Sequence, residues 1–116
     1  MKIIKLNDSS FGEFVKELKK PLVIKFYNPS CHLCKGIKPL FIKASYLYDQ
    51  YDFAEIDASQ NKKLSKFFDV SGVPQLYVIH NDKIKTIPYP ENPDPTSGYS
   101  LFDIFDYLDT LIHMKE

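Results

Sequence analysis

Arginine is missing altogether from this chain of 116 residues, and its fifteen lysines are matched by fifteen acidic side chains. No guanidinium fork is present to grip a phosphate and no net charge attracts a polyanion, so nucleic acid and anionic membranes are not expected partners. Long apolar runs are missing too. No stretch approaches the roughly 18 residues of a membrane span, and the apolar part of Met1 to Asp8 is too short for a secretory core region. A soluble, cytoplasmic protein without membrane association is expected. Cysteine is scarce: Cys31 and Cys34 are the only two. They make no disulfide scaffold, and a zinc ion, which takes about four ligands, would lack donors, so no metal and no other cofactor is expected. Tryptophan is absent, yet 44% hydrophobic and 15% aromatic residues suffice for one core, and the length suits a single domain over 1–116.

What is present is regular. Ile3 to Leu6 reads as a short strand, and Phe11, Phe14, Val15 and Leu18 recur at helical spacing behind Ser10 and Glu13, which have capping-box spacing. Pro21 closes that helix. Leu22 to Tyr27 is apolar except for Lys25, the pattern of a central strand covered on both faces. After the turn Asn28-Pro29-Ser30, a helical face runs on from Lys35 through Ile37, Leu40, Phe41, Ala44 and Tyr48 to about Tyr51, with Pro39 inside it. Asp52 to Asp57 alternates like a strand, and Ser59 is placed to cap a helix over roughly Gln60 to Phe68. Gln75 to His80 and Lys83 to Ile87 form a hairpin through Asn81-Asp82. Pro88, Pro90, Pro93 and Pro95 exclude a helix or inner strand before Leu101, Phe102, Phe105, Leu108, Leu111 and Ile112 mark a last helix. Helices alternate with strands until the hairpin, so the fold class is α/β with a mixed sheet of about five strands and about four helices.

Cys31-His32-Leu33-Cys34 sits where the central strand gives way to a helix. Two thiols at that spacing can close an intramolecular disulfide, and the unpaired N–H groups of a helix N-terminus stabilise an anion there. This is a dithiol built to cycle, with Cys31 as its nucleophile.

The same elements, with C-x-x-C after the second strand and Val73-Pro74 ahead of the hairpin, resemble the thioredoxin family over nearly the whole chain. Tyr27-Asn28-Pro29-Ser30-Cys31-His32-Leu33-Cys34-Lys35 is similar to that family's aromatic-x-x-x-C-x-x-C-K segment. Pro39 stands where the family has its helix proline, and Gly72-Val73-Pro74-Gln75 is similar to its Val/Ile-Pro-Thr loop. The resemblance implies a thioredoxin fold in which Pro74 is cis and faces the dithiol. It further implies a protein-disulfide reductase: Cys31 attacks a disulfide in a partner protein and Cys34 resolves the mixed disulfide. Tyr27, His32, Leu33, Val73 and Pro74 would contact the substrate, the Val73 backbone pairing with an extended segment. Electrons would come from a separate thioredoxin reductase or from glutathione. The alternatives are a disulfide oxidant or isomerase, and a thioredoxin-fold binding or redox-sensing module with incidental turnover.

Three departures from the pattern shape this expectation. The family's acid six residues before the first cysteine is Lys25 here, while Glu55 stands where the family usually has a lysine. If the strands are neighbours, the two form the same ion pair reversed, and Glu55 takes over proton transfer at Cys34. His32 and Leu33 replace the family's Gly and Pro. A histidine between the cysteines favours the thiolate when protonated and points to an intermediate potential. Finally, Pro88 to Ser100 lengthens the connection into the last helix, and Tyr89 and Tyr99 would supply contact area there if the segment folds against the substrate groove.

Overall fold

The computed structural model describes residues 3–113. In chain order the elements are β1 (Ile3–Lys5), α1 (Phe11–Lys16), β2 (Leu22–Tyr27), α2 (His32–Leu47), β3 (Asp52–Asp57), α3 (Lys62–Phe67), β4 (Gln75–His80), β5 (Lys83–Ile87) and α4 (Leu101–Ile112). The strands make one sheet in the order β1-β3-β2-β4-β5. β1 and β2 run parallel to β3, and β4 is antiparallel to both β2 and β5. The expected α/β fold, a mixed five-stranded sheet with four helices, is what these residues form.

Strand side chains alternate between faces, and each face of the sheet has its own core. Val23, Phe53 and Val78 pack with Ile37, Phe41 and Ala44 of α2 and with Ile104, Leu108 and Leu111 of α4. Leu22, Ile24, Phe26, Ala54 and Ile56 point the other way, toward Leu64, Phe68 and the half-buried Phe11 and Phe14. Covered on both sides, β2 is fully apolar apart from Lys25, which shares Val23's face and so lies beneath α2. In the β2–β3 register Lys25 is directly opposite Glu55, and in the β1–β3 register Lys5 is opposite the same residue.

Local signals at the helix starts were partly misleading. Ser10 makes no side-chain cap. Instead the Asn7 side-chain carbonyl accepts from the Ser9 and Ser10 N–H groups, closing a turn before α1. Ser59 does not cap α3 either: its N–H and hydroxyl both donate to Asp57. The first turn of α3 is held from far along the chain, where the Asp8 carboxylate accepts from the Lys63 and Leu64 N–H groups at 3.3 and 2.9 Å. α2 begins three residues before Lys35, because Cys31 itself is the N-cap, and it ends at Leu47 rather than near Tyr51. At α4, Ser100 and Asp103 form a full capping box.

The proline-rich connection is folded. Asp94 and Gly98 exchange backbone hydrogen bonds of 2.9 and 2.8 Å across a tight loop. Gly98 has φ +76°, a left-handed conformation that favours glycine, and it lies against the Tyr89 side chain, whose hydroxyl would be 2.9 Å from a β-carbon there. Tyr99 is completely buried. Its hydroxyl accepts from the Leu76 N–H (3.3 Å) and the Gln75 side-chain amide (2.9 Å) and donates to the Ile87 carbonyl (2.9 Å).

Candidate active site

Asn28 builds the turn that delivers the first sulfur: its side chain accepts from the Ser30 N–H and hydroxyl, and its backbone carbonyl accepts from the Cys31 N–H at 3.0 Å. Cys31 is then extended (φ −80°, ψ 124°) at the N-cap of α2. Its Sγ accepts a hydrogen bond from the Cys34 N–H at 3.1 Å, an arrangement that stabilises negative charge on that sulfur. On its other side Cys31 Sγ faces the Val73 carbonyl oxygen at 3.7 Å, and the Val73–Pro74 peptide is cis. The expected cis proline is therefore present, and it is the carbonyl of the preceding Val73 that faces Cys31.

Both cysteines are free thiols, and they differ in access: Cys31 is half-buried and Cys34 is 5% exposed. Burial foremost, then the hydrogen bond and charge of Cys31, push the Cys34 thiol up to about 12, against the opposing pull of the Asn28 backbone and Lys25. Cys34 thus holds its proton firmly until something helps remove it. His32 is exposed and Leu33 half-buried on the open side of the turn, with Val73 half-buried and Pro74 buried across from them.

Beneath the dithiol the reversed ion pair exists. Lys25, 2% exposed, places Nζ 3.4 Å from Glu55 Oε1, while Glu55 Oε2 lies 3.9 Å from the exposed Lys5 ammonium. The Lys25 ammonium also sits 5.0 Å from the centre of the Phe41 ring and 5.5 Å from that of Tyr27, both attractive to a cation. Burial lowers the Lys25 pKa from its ordinary value, with Glu55 opposing the change. Burial raises that of Tyr27, and the Glu55 and Asp57 carboxylates add to the shift. A cavity of about 280 Å3 joins Cys34 and Lys25 to Glu55 and opens between Lys5, Lys35 and Lys38.

The structure thus brings together Cys31, Cys34, Val73 and Pro74 above, and Lys25, Tyr27 and Glu55 below. Tyr99 does not join them: with its ring buried and its hydroxyl fully engaged it supports the β4–β5 end and offers no contact surface. Tyr89 remains 43% exposed and packs edge-on to Tyr99 at 5.3 Å. Two participants were not foreseen. Asn28 was legible only as part of a turn. Gly36, two residues after Cys34, lies where a β-carbon would run into the Thr96 carbonyl, so the proline-rich segment rests directly on the active-site helix. A glycine inside a helix, which costs about 1 kcal/mol relative to alanine, was the available signal for such a close approach.

Comparison with known proteins agrees with this geometry. The thioredoxin family model matches residues 2–94. Protein disulfide-isomerase like 2-2 of Arabidopsis thaliana is 30% identical over 87 residues, which cover 74% of this chain and 20% of the relative. Protein disulfide-isomerase A4 of Homo sapiens is 33% identical over 81 residues, covering 66% and 12%. Protein disulfide-isomerase of Datisca glomerata is 30% identical over 112 residues, covering 91% and 21%. The chain therefore spans about a fifth or less of the length of these relatives.

Proposed function

Because the chain belongs to the thioredoxin family, we propose that it is a thiol–disulfide oxidoreductase that reduces disulfides in partner proteins through a Cys31/Cys34 dithiol cycle. The observation that carries this reading is the pair of unequal sulfurs. Cys31 stands at a helix N-cap beside the Val73 carbonyl, and Cys34 is hidden behind it. Cys31 thiolate attacks one sulfur of the partner disulfide, and the partner's other sulfur leaves as a thiolate. Cys34 then loses its proton to Glu55, reached through the shared cavity, and attacks Cys31 Sγ. The second partner thiolate departs and a Cys31–Cys34 disulfide remains, so two electrons have passed to the partner. The Val73 backbone pairs with an extended partner segment, flanked by Pro74, Tyr27, His32 and Leu33. A thioredoxin reductase or glutathione restores the dithiol, in a cytoplasmic setting where such donors keep thiols reduced.

Insulin reduction tests the cycle. Cys31→Ser should abolish it, and Cys34→Ser should retain insulin covalently, visible on a non-reducing gel. A Cys31→Ser protein that reduces insulin at the original rate would refute the assignment. A second reading, disulfide isomerisation, is favoured by the raised Cys34 thiol, since slow resolution leaves a mixed disulfide time to rearrange. The names of the matched relatives point the same way. Equilibration in glutathione buffers separates the two: a potential near about −270 mV supports a reductase and one near about −180 mV an isomerase.

A further inference from the structure

The proline-rich connection leaves apolar surface uncovered where it meets α4. Phe102, in the first turn of that helix, is 74% exposed, and Tyr89 is 43% exposed. Both line a groove of about 520 Å3 that reaches down to the buried Ile87 between Pro88, Pro90 and Tyr107. Its frame is fixed from several sides. Tyr89 packs edge-on to Tyr99 and lies against Gly98, the Asp94–Gly98 bridge closes the loop, and the capping box of Ser100 and Asp103 sets the start of α4.

The charge of this groove is one-sided. Glu91, Asp103 and Asp106 line it and no cationic side chain does, in a chain whose formal charge is zero. Asp103 is engaged by the capping box, whereas Glu91 and Asp106 are exposed and make no ion pair among the described residues. An acidic occupant would be repelled, and a purely apolar one would strip water from two carboxylates and return nothing to them. A lysine or arginine suits both features, since its stem lies along apolar surface while its head meets carboxylates and the faces of aromatic rings.

The groove also stands at a useful distance from the dithiol. Ile87 is paired with Leu76, two residues after Pro74. With about 3.3 Å per residue along a strand and about 4.8 Å between strands, the groove begins roughly 8 Å from the cis-proline loop. An extended segment covers that distance in about two to four residues.

We propose that this groove is a specificity site for a lysine or arginine that the partner protein carries close to its disulfide, with Glu91 and Asp106 as charge partners and Tyr89 and Phe102 as the apolar surface. The proposal rests on the exchange reaction given above and names the class of partner it prefers, a disulfide with a basic, extended flank.

The test uses the full chain, reduced, and short extended peptides whose single cysteine is held in a disulfide with a coloured aromatic thiol. The Cys31 thiolate attacks the peptide sulfur, the Cys31–peptide disulfide forms, and the aromatic thiolate leaves with the electrons of the broken bond. Colour therefore reports recognition of the peptide. Three peptides differ only in carrying lysine, norleucine or glutamate about two to four residues from the cysteine on either side. At low salt the lysine peptide should react roughly 3- to 10-fold faster than the norleucine peptide, with glutamate slowest, and the margin should shrink as salt rises. Glu91→Gln/Asp106→Asn should bring the lysine rate down to that of norleucine and leave the norleucine rate within about twofold. Equal rates for lysine and norleucine would overturn the proposal in favour of an apolar partner, and a lysine preference that survives the double variant would place its recognition elsewhere. A dimer in sedimentation that Phe102→Ser dissociates would overturn it in favour of a second copy of this chain. Absence of colour from every peptide would overturn the exchange chemistry itself, and the specificity site with it.

Discussion

Replacing Tyr99 by phenylalanine removes one oxygen and leaves the ring in place, so its cost can be worked almost entirely from hydrogen bonds. The hydroxyl sits between the ends of β4 and β5, taking the Leu76 N–H at 3.3 Å and giving to the Ile87 carbonyl at 2.9 Å. Without it, the Ile87 carbonyl keeps a donor in the Gln75 side-chain amide at 3.4 Å. The Leu76 N–H, on a residue with no exposed surface, keeps none of its present partner. A stranded buried donor costs about 1–3 kcal/mol, and about 2 kcal/mol is the expected loss for Tyr99→Phe. For a chain of this size the unfolding entropy is roughly 0.24 kcal/mol/K, so Tm should fall by about 8 °C. The urea midpoint should fall by roughly 1 M with an unchanged slope. Circular dichroism during urea and thermal unfolding measures both. A loss under about 0.5 kcal/mol would refute the reasoning, because Leu76 and Ile87, paired in the ladder, would then have closed onto each other directly.

Two further outcomes are expected. Asp8→Ala removes the remote cap of α3 and should cost roughly 1 kcal/mol in urea unfolding; no measurable loss would mean that the Lys63 and Leu64 N–H groups have other acceptors. Stability should also fall between about pH 10 and pH 12. Burial, then the hydrogen bond and charge of Asp109, raise Tyr48 to about 12 from an ordinary 10, and burial raises Tyr51 and Tyr99 as well. The folded phenols keep protons that the unfolded ones release, so their contribution is complete below about pH 10 and disappears above it. Urea midpoints that stay level up to about pH 12 would contradict this, and Tyr48→Phe should flatten part of the decline.

The sequence revealed most where one physical signal dominated. The bounds of β2, β3, β4 and β5 match the runs read from apolar alternation and the Asn81-Asp82 turn, whose two residues both adopt positive φ as the hairpin requires. Helix starts were harder, because Ser10 and Ser59 carry genuine capping chemistry but are claimed by Asn7 and Asp57 next door. The true α3 cap comes from Asp8, over fifty positions earlier. Cys31, Cys34 and Val73-Pro74 were legible as motif. The Lys25–Glu55 pair was legible only through the expected adjacency of two strands, since no local pattern sets a register between segments thirty residues apart. Tyr99 misled for a related reason: an aromatic in a proline-rich connection looks like surface until the fold supplies a buried acceptor for its hydroxyl.

The seat of the proline-rich segment on Gly36 has a consequence for anyone borrowing parts of this protein. Thr96 occupies the space a side chain at position 36 would need, so the segment and the glycine form one graftable unit. Transplanted alone onto a scaffold with a bulkier helix residue, the loop would find no place to rest. Shortened here, it would free position 36 to accept alanine and the helical stability that comes with it.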